Sequence, residues 1–326
     1  MQGLKNLGST CAINSLIQII CRNKYLRNSL LNEDIPENTI AIELKEILKI
    51  LYIDNNSISP NKFIYALYNS LNNYIVFGEQ IDITELWFLL FDKISTEINL
   101  ITYDNEYNKE YDNITIDNPL INSKAKYIIS KFNNFKNSKW LENSQGIILN
   151  IIECNKCNNI SYNFEPFISI QLDLPHNNDN ISLTSLFRNY LKSLKNKDEW
   201  KCDKCNKCTE YTKSFKLWEL PKVLVFFIKR YSNINEKNNR PVNINENINI
   251  KKGCILSDIN LDLTYNLSSI GMHIGNLNNG HYYAICKNEK DNKFISYDDL
   301  DIKVFNKDNK NFLNNNKDAY MIVYSI

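Results

Sequence analysis

Residues 3–18, which read Gly-Leu-Lys-Asn-Leu-Gly-Ser-Thr-Cys-Ala-Ile-Asn-Ser-Leu-Ile-Gln, contain the first predicted helix and a cysteine at its start. Between residues 9 and 22 the apolar positions recur with helical spacing, and Ser9 or Thr10 can serve as the N-cap. Cys11 falls just inside this start, where unpaired amides and the positive end of the helix dipole favour a thiolate over a thiol. A small buried cysteine fits the same pattern, so the position alone does not establish a nucleophile.

Outside this stretch the periodicity of the apolar residues changes once along the chain. Residues 40–53 and 84–98 repeat the helical spacing, so about the first 140 residues are predicted to be mainly helical. From Gly146 onward, short apolar runs predict strands, and the polar, Asn-rich residues 232–252 predict a surface loop. The predicted strands cover 146–152, 160–174, 223–228, 261–263, 269–273, 281–286, 294–297 and 319–324, and a short helix is predicted over 183–194.

Composition and charge exclude several classes of protein. The 326 residues carry 38 Lys and Arg against 37 Asp and Glu, a formal net charge of +1, whereas nucleic-acid-binding domains usually show a basic excess. The N-terminus lacks the features of a secretory signal, and no apolar run reaches the roughly 18 to 20 residues that span a bilayer. We therefore expect a soluble protein of the cytoplasm, with the nucleus as a second compartment, that binds neither nucleic acid nor membrane.

The over-use of Asn is explained by AT-rich coding. It leaves a viral source open, in which case the compartment is the host cytoplasm.

Four of the nine cysteines form two C-x-x-C pairs in polar turns. In a reducing compartment such pairs indicate metal or redox chemistry rather than disulfides. Two pairs together supply the four thiolates that a tetrahedral Zn²⁺ prefers, and a closed set of four ligands leaves no position for a catalytic water. We therefore predict one structural zinc and assign no role to Cys208. The four predicted ligands are Cys154, Cys157, Cys202 and Cys205.

A nucleophilic thiol needs a base, and the chain has only three histidines. His281 follows a glycine-containing loop and opens a predicted strand, a kind of junction at which catalytic groups are often displayed. His273 lies within a predicted strand, where we expect a structural role, and His176 lies in a polar turn. A second strand ends at Asp298 and Asp299. If the two strands form a hairpin, Asp298 returns to the side of His281 and can orient its ring.

Taken together, these segments resemble those of the ubiquitin-specific proteases, papain-like cysteine hydrolases that remove ubiquitin. Residues 3–18 look like the family's Cys box, and residues 280–284 with 297–299 are similar to its His box. The resemblance runs through essentially the whole chain in the family's order. The cysteine pairs fall where the family's fingers subdomain carries zinc. Further similar segments are the Gln-Gln-Asp segment at 78–86, the Leu-Pro strand at 220–225, the Lys-Arg-Phe motif at 229–231 and the last strand at 319–324.

The resemblance implies an α+β fold of the papain-like cysteine peptidase type in one catalytic domain, residues 1–326. It has a mainly helical thumb at 1–145, zinc-bearing β fingers with part of the palm at 146–215, and a β-rich palm with the His box at 216–326.

The resemblance also implies catalytic roles. Cys11 would be the nucleophile, His281 the general base and then acid, and Asp298 the orienting carboxylate. Asn6 would donate its amide to the oxyanion. Asp299 would either assist there or stand in for Asp298.

A second set of implied roles concerns the substrate. Asp82 and Glu85 match family positions that face the basic tail of ubiquitin, where a carboxylate can form a charge-assisted pair with Arg. Gly280 closes a loop, 275–280, that would form one wall of the channel for the terminal Gly-Gly of ubiquitin.

Several positions depart from the family pattern. Ala12 replaces the usual aromatic after the nucleophile, Ile81 the second Gln, Leu86 a Phe and Tyr231 the Phe of Lys-Arg-Phe. Because the three catalytic residues and Asn6 are present, we predict an active, monomeric deubiquitinase with ubiquitin and ubiquitinated proteins as partners. The alternatives are a hydrolase for another ubiquitin-like modifier and a catalytically inactive ubiquitin-binding scaffold. The balanced charge disfavours a zinc-ribbon nucleic-acid module.

Overall fold

A computed structural model describes residues 2–54, 56, 58–98, 101–102, 111, 114, 118–175, 181–192, 194–231, 236–250, 263–276, 280–306 and 310–326. Within this part, helices precede residue 146 and strands predominate after it. The helices are α1 (Cys11–Arg22), α2 (Lys24–Leu31), α3 (Ile40–Lys49), α4 (Asn61–Ser70), α5 (Ile83–Ile98), α6 (Ile121–Phe132), α7 (Lys139–Ser144) and α8 (Leu183–Tyr190). The strands are β1 (Ile101–Thr102), β2 (Lys136–Asn137), β3 (Gly146–Cys154), β4 (Ile160–Phe167), β5 (Ile170–Asp173), β6 (Leu194–Cys202), β7 (Lys207–Glu219), β8 (Val223–Lys229), β9 (Asn247–Ile250), β10 (Leu263–Gly275), β11 (Gly280–Lys287), β12 (Phe294–Asp298), β13 (Asp301–Val304) and β14 (Ala319–Ser325).

Two main sheets form the β-rich part. The larger sheet has the order β13-β12-β11-β10-β14-β8-β5, with β9 paired to β10. Its pairs are antiparallel except for β5 with β8. The smaller sheet has the order β4-β3-β7-β6, and the turns at one of its ends carry the two cysteine pairs. The mixture of helix and sheet confirms the predicted α+β class.

Helix α1 lies at the centre of the molecule, between the other helices and the larger sheet. It packs against β11 on one side and against α2 and α5 on others. Residues 11–21 are all buried, as is usual for a helix that is apolar or small around most of its circumference. Its polar Asn14 and Gln18 donate hydrogen bonds to backbone carbonyls of the N-terminal segment. The start of α1 is therefore fixed against the strand that begins at Gly280.

The larger sheet is buried on both faces, as strand β8 shows. Alternate β8 side chains join two different apolar clusters, one with the N-terminal helices and one with α8. This double burial explains why 223–228 is an unbroken apolar run in the sequence. Val223, Val225 and Phe227 face the helices, and Leu224, Phe226 and Ile228 face α8.

The helices predicted around residues 9–22 and 84–98 are confirmed, but the surface loop predicted over 232–252 is wrong at Val242 and Ile244, which are buried in the core, and over β9. Strand β9 pairs antiparallel with β10 and buries Ile248 and Ile250, while the alternating Asn247 and Asn249 are exposed. Residues 232–235 and 251–262, which include Cys254 and two residues of the strand predicted at 261–263, lie outside the described residues. In the described part, no helix is long and apolar enough to cross a membrane.

Candidate active site

Cys11 is the first residue of α1 and is 3% exposed. Burial raises the pKa of its thiol, and the Asp299 carboxylate adds to the increase; the backbone amides of Tyr282 and Ala12 oppose it. The amides at the helix start thus act in the predicted direction, but burial outweighs them. The resting form of Cys11 near neutral pH is therefore the thiol, and its reaction requires a base.

His281 and Asp298 are brought together by the predicted hairpin of β11 and β12. The strands pair antiparallel, with Ala284 opposite Tyr297, and His281 Nε2 lies 2.5 Å from Asp298 Oδ1. Nδ1 is thus the ring nitrogen left for a thiol. The backbone of the next residue in β11 contacts the Cys11 thiol. Within the described residues no hydrogen bond joins this thiol to the His281 ring.

Asp299 links the His-bearing hairpin to the cysteine-bearing segment. Its backbone is left-handed, with φ of 52°, a conformation that Asp tolerates better than most residues. Its Oδ2 accepts from Asn6 Nδ2 at 2.8 Å, and its Oδ1 accepts from Asn14 Nδ2 at 2.7 Å. Because Asn6 Oδ1 accepts from the Thr10 hydroxyl at 3.1 Å, the amide orientation of Asn6 is fixed and one N–H is left for a ligand. Of its two suggested roles, this geometry favours support of Asn6 over substitution for Asp298.

Thr10 occupies the N-cap position of α1, but its side chain does not cap the helix. Its hydroxyl accepts from the Leu7 N–H at 3.0 Å instead and donates to Asn6. The residue that was predicted as a cap therefore orders the segment that carries Asn6.

Asp82 and Glu85, the positions predicted to face a basic tail, differ in whether their carboxylates already accept hydrogen bonds within the protein. Asp82 Oδ1 accepts from the Thr84 N–H at 2.7 Å, which caps α5, and Oδ2 accepts from the Tyr282 hydroxyl at 3.2 Å. Glu85 lies exposed in the first turn of α5. The Glu85 carboxylate is thus the more available of the two for a cationic ligand.

Two residues outside the predicted set contact the site. Gln80 Nε2 donates to the Gly280 carbonyl at 2.6 Å, and its Oε1 accepts from the Gly280 N–H at 3.2 Å. Asn14 is the second, through Asp299. One signal was available, since Asn14 follows Cys11 by three residues and thus shares its helix face. Nothing local in the sequence indicates that Gln80 reaches Gly280.

The four predicted zinc ligands come together at the tip of the smaller sheet, with all sulfur atoms within 4.8 Å of one another. Cys154 and Cys205 sulfurs are 4.0 Å apart, and those of Cys157 and Cys202 are 3.6 Å apart. The edge of a tetrahedron with Zn–S bonds of ~2.3 Å is about 3.8 Å. The quartet therefore fits one tetrahedral zinc.

The protonation of the quartet is uneven. The Thr209 hydroxyl, 3.2 Å from Cys154 Sγ, lowers the pKa of that thiol to about 6. The Asn159 amide lowers the pKa of Cys157, but burial and the neighbouring thiols outweigh it and raise that pKa to about 11. Full ionisation of four adjacent thiols thus calls for a bound cation.

The helical lobe with a buried thiol, the sheet with a His–carboxylate pair and the separate sheet with four clustered cysteines define a papain-like cysteine peptidase architecture. The family model described as ubiquitin carboxyl-terminal hydrolase matches residues 2–324. The chain belongs to this family. Its curated relatives include ubiquitin carboxyl-terminal hydrolase 2 of Homo sapiens, 22% identical over 349 residues that cover 100% of this chain and 55% of the relative. The Gallus gallus protein of that name is 24% identical, with 100% and 93% covered.

Solved structures show the same fold. The SAGA DUB module with Ubp8 bound to monoubiquitin contains a chain that matches with a TM-score of 0.76 at 22% identity, over 100% of this chain and 69% of that one. The module bound to ubiquitin aldehyde matches with a TM-score of 0.72 at 21% identity, over 100% and 69%. These likenesses concern the fold, and the chain spans about half the length of its human relative.

Proposed function

We propose that the protein is a deubiquitinase, a thiol hydrolase that cleaves the isopeptide or peptide bond after the C-terminal Gly of ubiquitin. The observation that carries this proposal is a buried thiol at the start of α1 that contacts the backbone of Tyr282, the residue after His281 of the His281–Asp298 pair, in a chain of this family. The family's name and the ubiquitin-bound structural neighbours support ubiquitin as the modifier.

In the proposed acylation step, His281 Nδ1 takes the thiol proton as Cys11 Sγ bonds to the carbonyl carbon of the terminal Gly. Asp298, held to Nε2, orients the ring and stabilises the imidazolium without taking its proton. The free N–H of Asn6 donates to the developing oxyanion. A preorganised donor of this kind contributes ~2.7 to 4 kcal/mol of transition-state stabilisation.

The intermediate collapses when His281 gives its proton to the leaving amine, which leaves a thioester on Cys11. A water, deprotonated by His281, then attacks the thioester and releases the ubiquitin carboxylate and the thiol. Because burial raises the pKa of the Cys11 thiol, the attack requires His281 to accept the thiol proton.

Substitution of the nucleophile tests this mechanism. Cys11→Ser should lower hydrolysis of a fluorogenic amide at the C-terminus of ubiquitin by at least about a thousandfold, since loss of a nucleophile removes the covalent route. Cys208→Ser, at an exposed thiol, serves as the control and should retain the activity. Full activity of the Cys11 variant would contradict the mechanism.

Two other outcomes distinguish the alternatives. Tight ubiquitin binding without covalent labelling of Cys11 by a ubiquitin electrophile would indicate a scaffold. Faster cleavage of another tagged modifier, measured beside ubiquitin, would indicate a different substrate.

The substrate contacts are proposed on the same basis. We assign Glu85 and Asp82 to the arginine-bearing tail of ubiquitin and Gly280 to the wall of the channel. The exposed Glu85 carboxylate supports a charge-assisted pair. At Asp82, the hydrogen bonds from the Thr84 N–H and the Tyr282 hydroxyl leave part of the carboxylate for the ligand.

We also propose that one zinc, held by the four clustered cysteines, stabilises the tip of the smaller sheet. As a separate proposal, we assign the thumb to residues 1–145, the fingers with part of the palm to 146–215 and the palm to 216–326. A monomer acting in the cytoplasm or nucleus fits the predicted intracellular setting.

A further inference from the structure

His273 is a buried titratable residue that the proposed reaction does not use. It lies in β10, is 2% exposed, and is the cross-strand partner of Tyr282 in β11. The ring therefore lies under the strand that begins the catalytic hairpin, directly beside the residue that follows His281.

The ring of His273 contacts both residues that flank His281. It stacks on Tyr282 with ring centroids 4.3 Å apart and an interplanar angle of 23°. Its Nε2 lies so close to Gly280 that a Cβ built on that glycine would overlap it, and the same Cβ would lie 2.8 Å from the Asn276 carbonyl. His281 is thus anchored through the residue on either side of it.

His273 is itself firmly placed. Its Nδ1 is 3.0 Å from the Tyr231 hydroxyl, and its N–H donates to the Asp318 carbonyl at 2.8 Å. The Lys237 ammonium donates to its carbonyl. Burial, reinforced by Lys237 and His281 and opposed by Asp82 and Asp318, lowers the pKa of His273 to about 4, so the ring stays neutral near neutral pH. A rigid, uncharged support is what a neighbouring base requires, because a second cation would disfavour its protonation.

We propose that His273 is a positioning residue for His281, which it holds at the thiol by supporting Gly280 from below and stacking on Tyr282. The proposal rests on the role of His281 in the proposed function. Gln80 completes the arrangement from the opposite lobe, since its amide makes both hydrogen bonds to the Gly280 backbone. The peptide before the base is therefore held between a side chain from the helical lobe and a ring from the sheet.

The test compares His273→Ala, Tyr231→Phe and a calibrating His281→Ala variant. A displacement near 1 Å at a reacting group costs up to about 100-fold. We therefore expect His273→Ala to lower kcat for the fluorogenic ubiquitin amide by roughly 10- to 100-fold, with KM changed by less than about threefold. Tyr231→Phe removes only the hydroxyl that orients the ring and should give a smaller loss in the same direction.

A second measurement needs no ubiquitin. The pH dependence of Cys11 alkylation by iodoacetamide reports how well His281 assists deprotonation of the thiol. We expect His273→Ala to move this profile part of the way toward that of His281→Ala. If the alkylation profiles of the wild type and the two variants differ in this way but the wild type cleaves no ubiquitin substrate, the proposed function fails and the positioning role stands.

The control for general destabilisation is Leu267→Ala, which opens a cavity in the same strand at a buried residue away from the hairpin turn. It should lower the melting temperature without moving the alkylation profile. Should His273→Ala also melt earlier yet keep both kcat and the profile of wild type, its role is packing alone and the proposal is overturned. If that variant does not fold, an unchanged kcat and profile in Tyr231→Phe overturns it equally.

Discussion

At the level of single residues, Cys11 is subject to opposing influences on its proton. Burial and the Asp299 charge favour the thiol, while nearby amides favour the thiolate. The same Asp299 carboxylate orients Asn6. In the proposed reaction, the residue that orders Asn6 as oxyanion donor therefore also makes the Cys11 nucleophile harder to ionise.

Asp299→Asn separates these two effects. Without the charge, the pKa of Cys11 should fall, so alkylation by iodoacetamide near neutral pH should become faster. The introduced amide has only one acceptor oxygen for the two donors, Asn6 and Asn14, that the carboxylate now serves. The competition for this oxygen should disturb the orientation of the Asn6 amide, the proposed oxyanion donor. Hydrolysis of the ubiquitin amide should therefore fall by roughly 100-fold.

The control for this prediction is Asp291→Asn, at a half-buried carboxylate in the β11–β12 turn. It should change neither rate appreciably. Parallel loss of alkylation and hydrolysis in Asp299→Asn would contradict the separation of roles.

What could be predicted at this scale was which residues the proposed reaction uses, and what could not was the network of hydrogen bonds that orders them. Cys11, His281 and Asp298 follow from a helix start, a loop-to-strand junction and a strand end. The bonds from Asn14 to Asp299 and from Gln80 to Gly280 join residues far apart in the chain. No local periodicity encodes such contacts.

At the level of elements, helices and strands were predicted correctly where burial gives their apolar residues a regular spacing. Helix α5 and strand β8 are buried along defined faces, and their apolar patterns show it. Strand β7 was missed because its side chains are mostly half-exposed on both faces and carry many charges. Strand β9 was missed because a real Asn–Ile alternation lies within generally biased sequence. His176 lies outside the described residues.

Removal of zinc should loosen the smaller sheet selectively. We expect about one zinc per chain in purified protein. Chelation or Cys205→Ser should raise amide hydrogen exchange at the ends of β3 and β6, where Cys154 and Cys202 lie, because the turns that carry the ligands lose the bonds to the metal. Strands β8 and β14, in the core of the larger sheet, should stay protected.

The matched control for the zinc prediction is Cys208→Ser, whose exposed thiol lies beside the quartet but outside it. It should keep the metal and the exchange pattern. Protein that folds without metal and shows unchanged exchange at the tip would contradict a structural zinc.

The side chain of Arg230 links several segments of the chain through hydrogen bonds to their backbone carbonyls. It is fully buried at the end of β8, and its guanidinium donates to the carbonyls of Ala319 at 2.8 Å, Asn238 at 2.9 Å and Asn316 at 3.1 Å. Arg230→Lys keeps the charge but loses the planar fork, so buried carbonyls lose their donors. We expect the free energy of unfolding to fall by about 3 kcal/mol, measured by urea denaturation.

Lys229→Arg, at a half-exposed neighbour on the same strand, is the control for that measurement and should leave the stability nearly unchanged. An Arg230→Lys protein as stable as wild type would mean that the carbonyls find water or other donors.

At the level of the whole molecule, stability should depend on pH through His273. Its pKa is lowered from 6.5 to about 4 in the fold, so between these values the unfolded chain binds more protons. The contribution of His273 to stability is therefore fully present above about pH 6.5 and is lost progressively down to about pH 4, by about 3 kcal/mol. Denaturation midpoints of wild type and His273→Asn across pH 4 to 7 should show a shallower dependence in the variant. Parallel curves would contradict the assignment.

The overall architecture was more accessible from sequence than the site was. The change from helical to strand periodicity near Gly146 predicted the division of the chain. The way the two parts join was not predictable, because it depends on close backbone approach. A Cβ on Gly3, for example, would lie 2.6 Å from Leu300 Cα, so the N-terminal segment docks on the turn beside Asp299 only because residue 3 has no side chain.

Strand β7 also has a mechanical consequence. It runs unbroken for 13 residues from the cysteine tip to Glu219, a length of about 43 Å, and thus behaves as a lever arm. A rotation of about 5° at its base would swing the tip by about 4 Å over that length. The base is tightly filled, since a Cβ on Gly146 would lie 2.5 Å from the Phe167 ring and 2.8 Å from the Glu219 carbonyl. Because the tip lies at the far end of this strand, its position depends most strongly on the packing at the base, around Gly146.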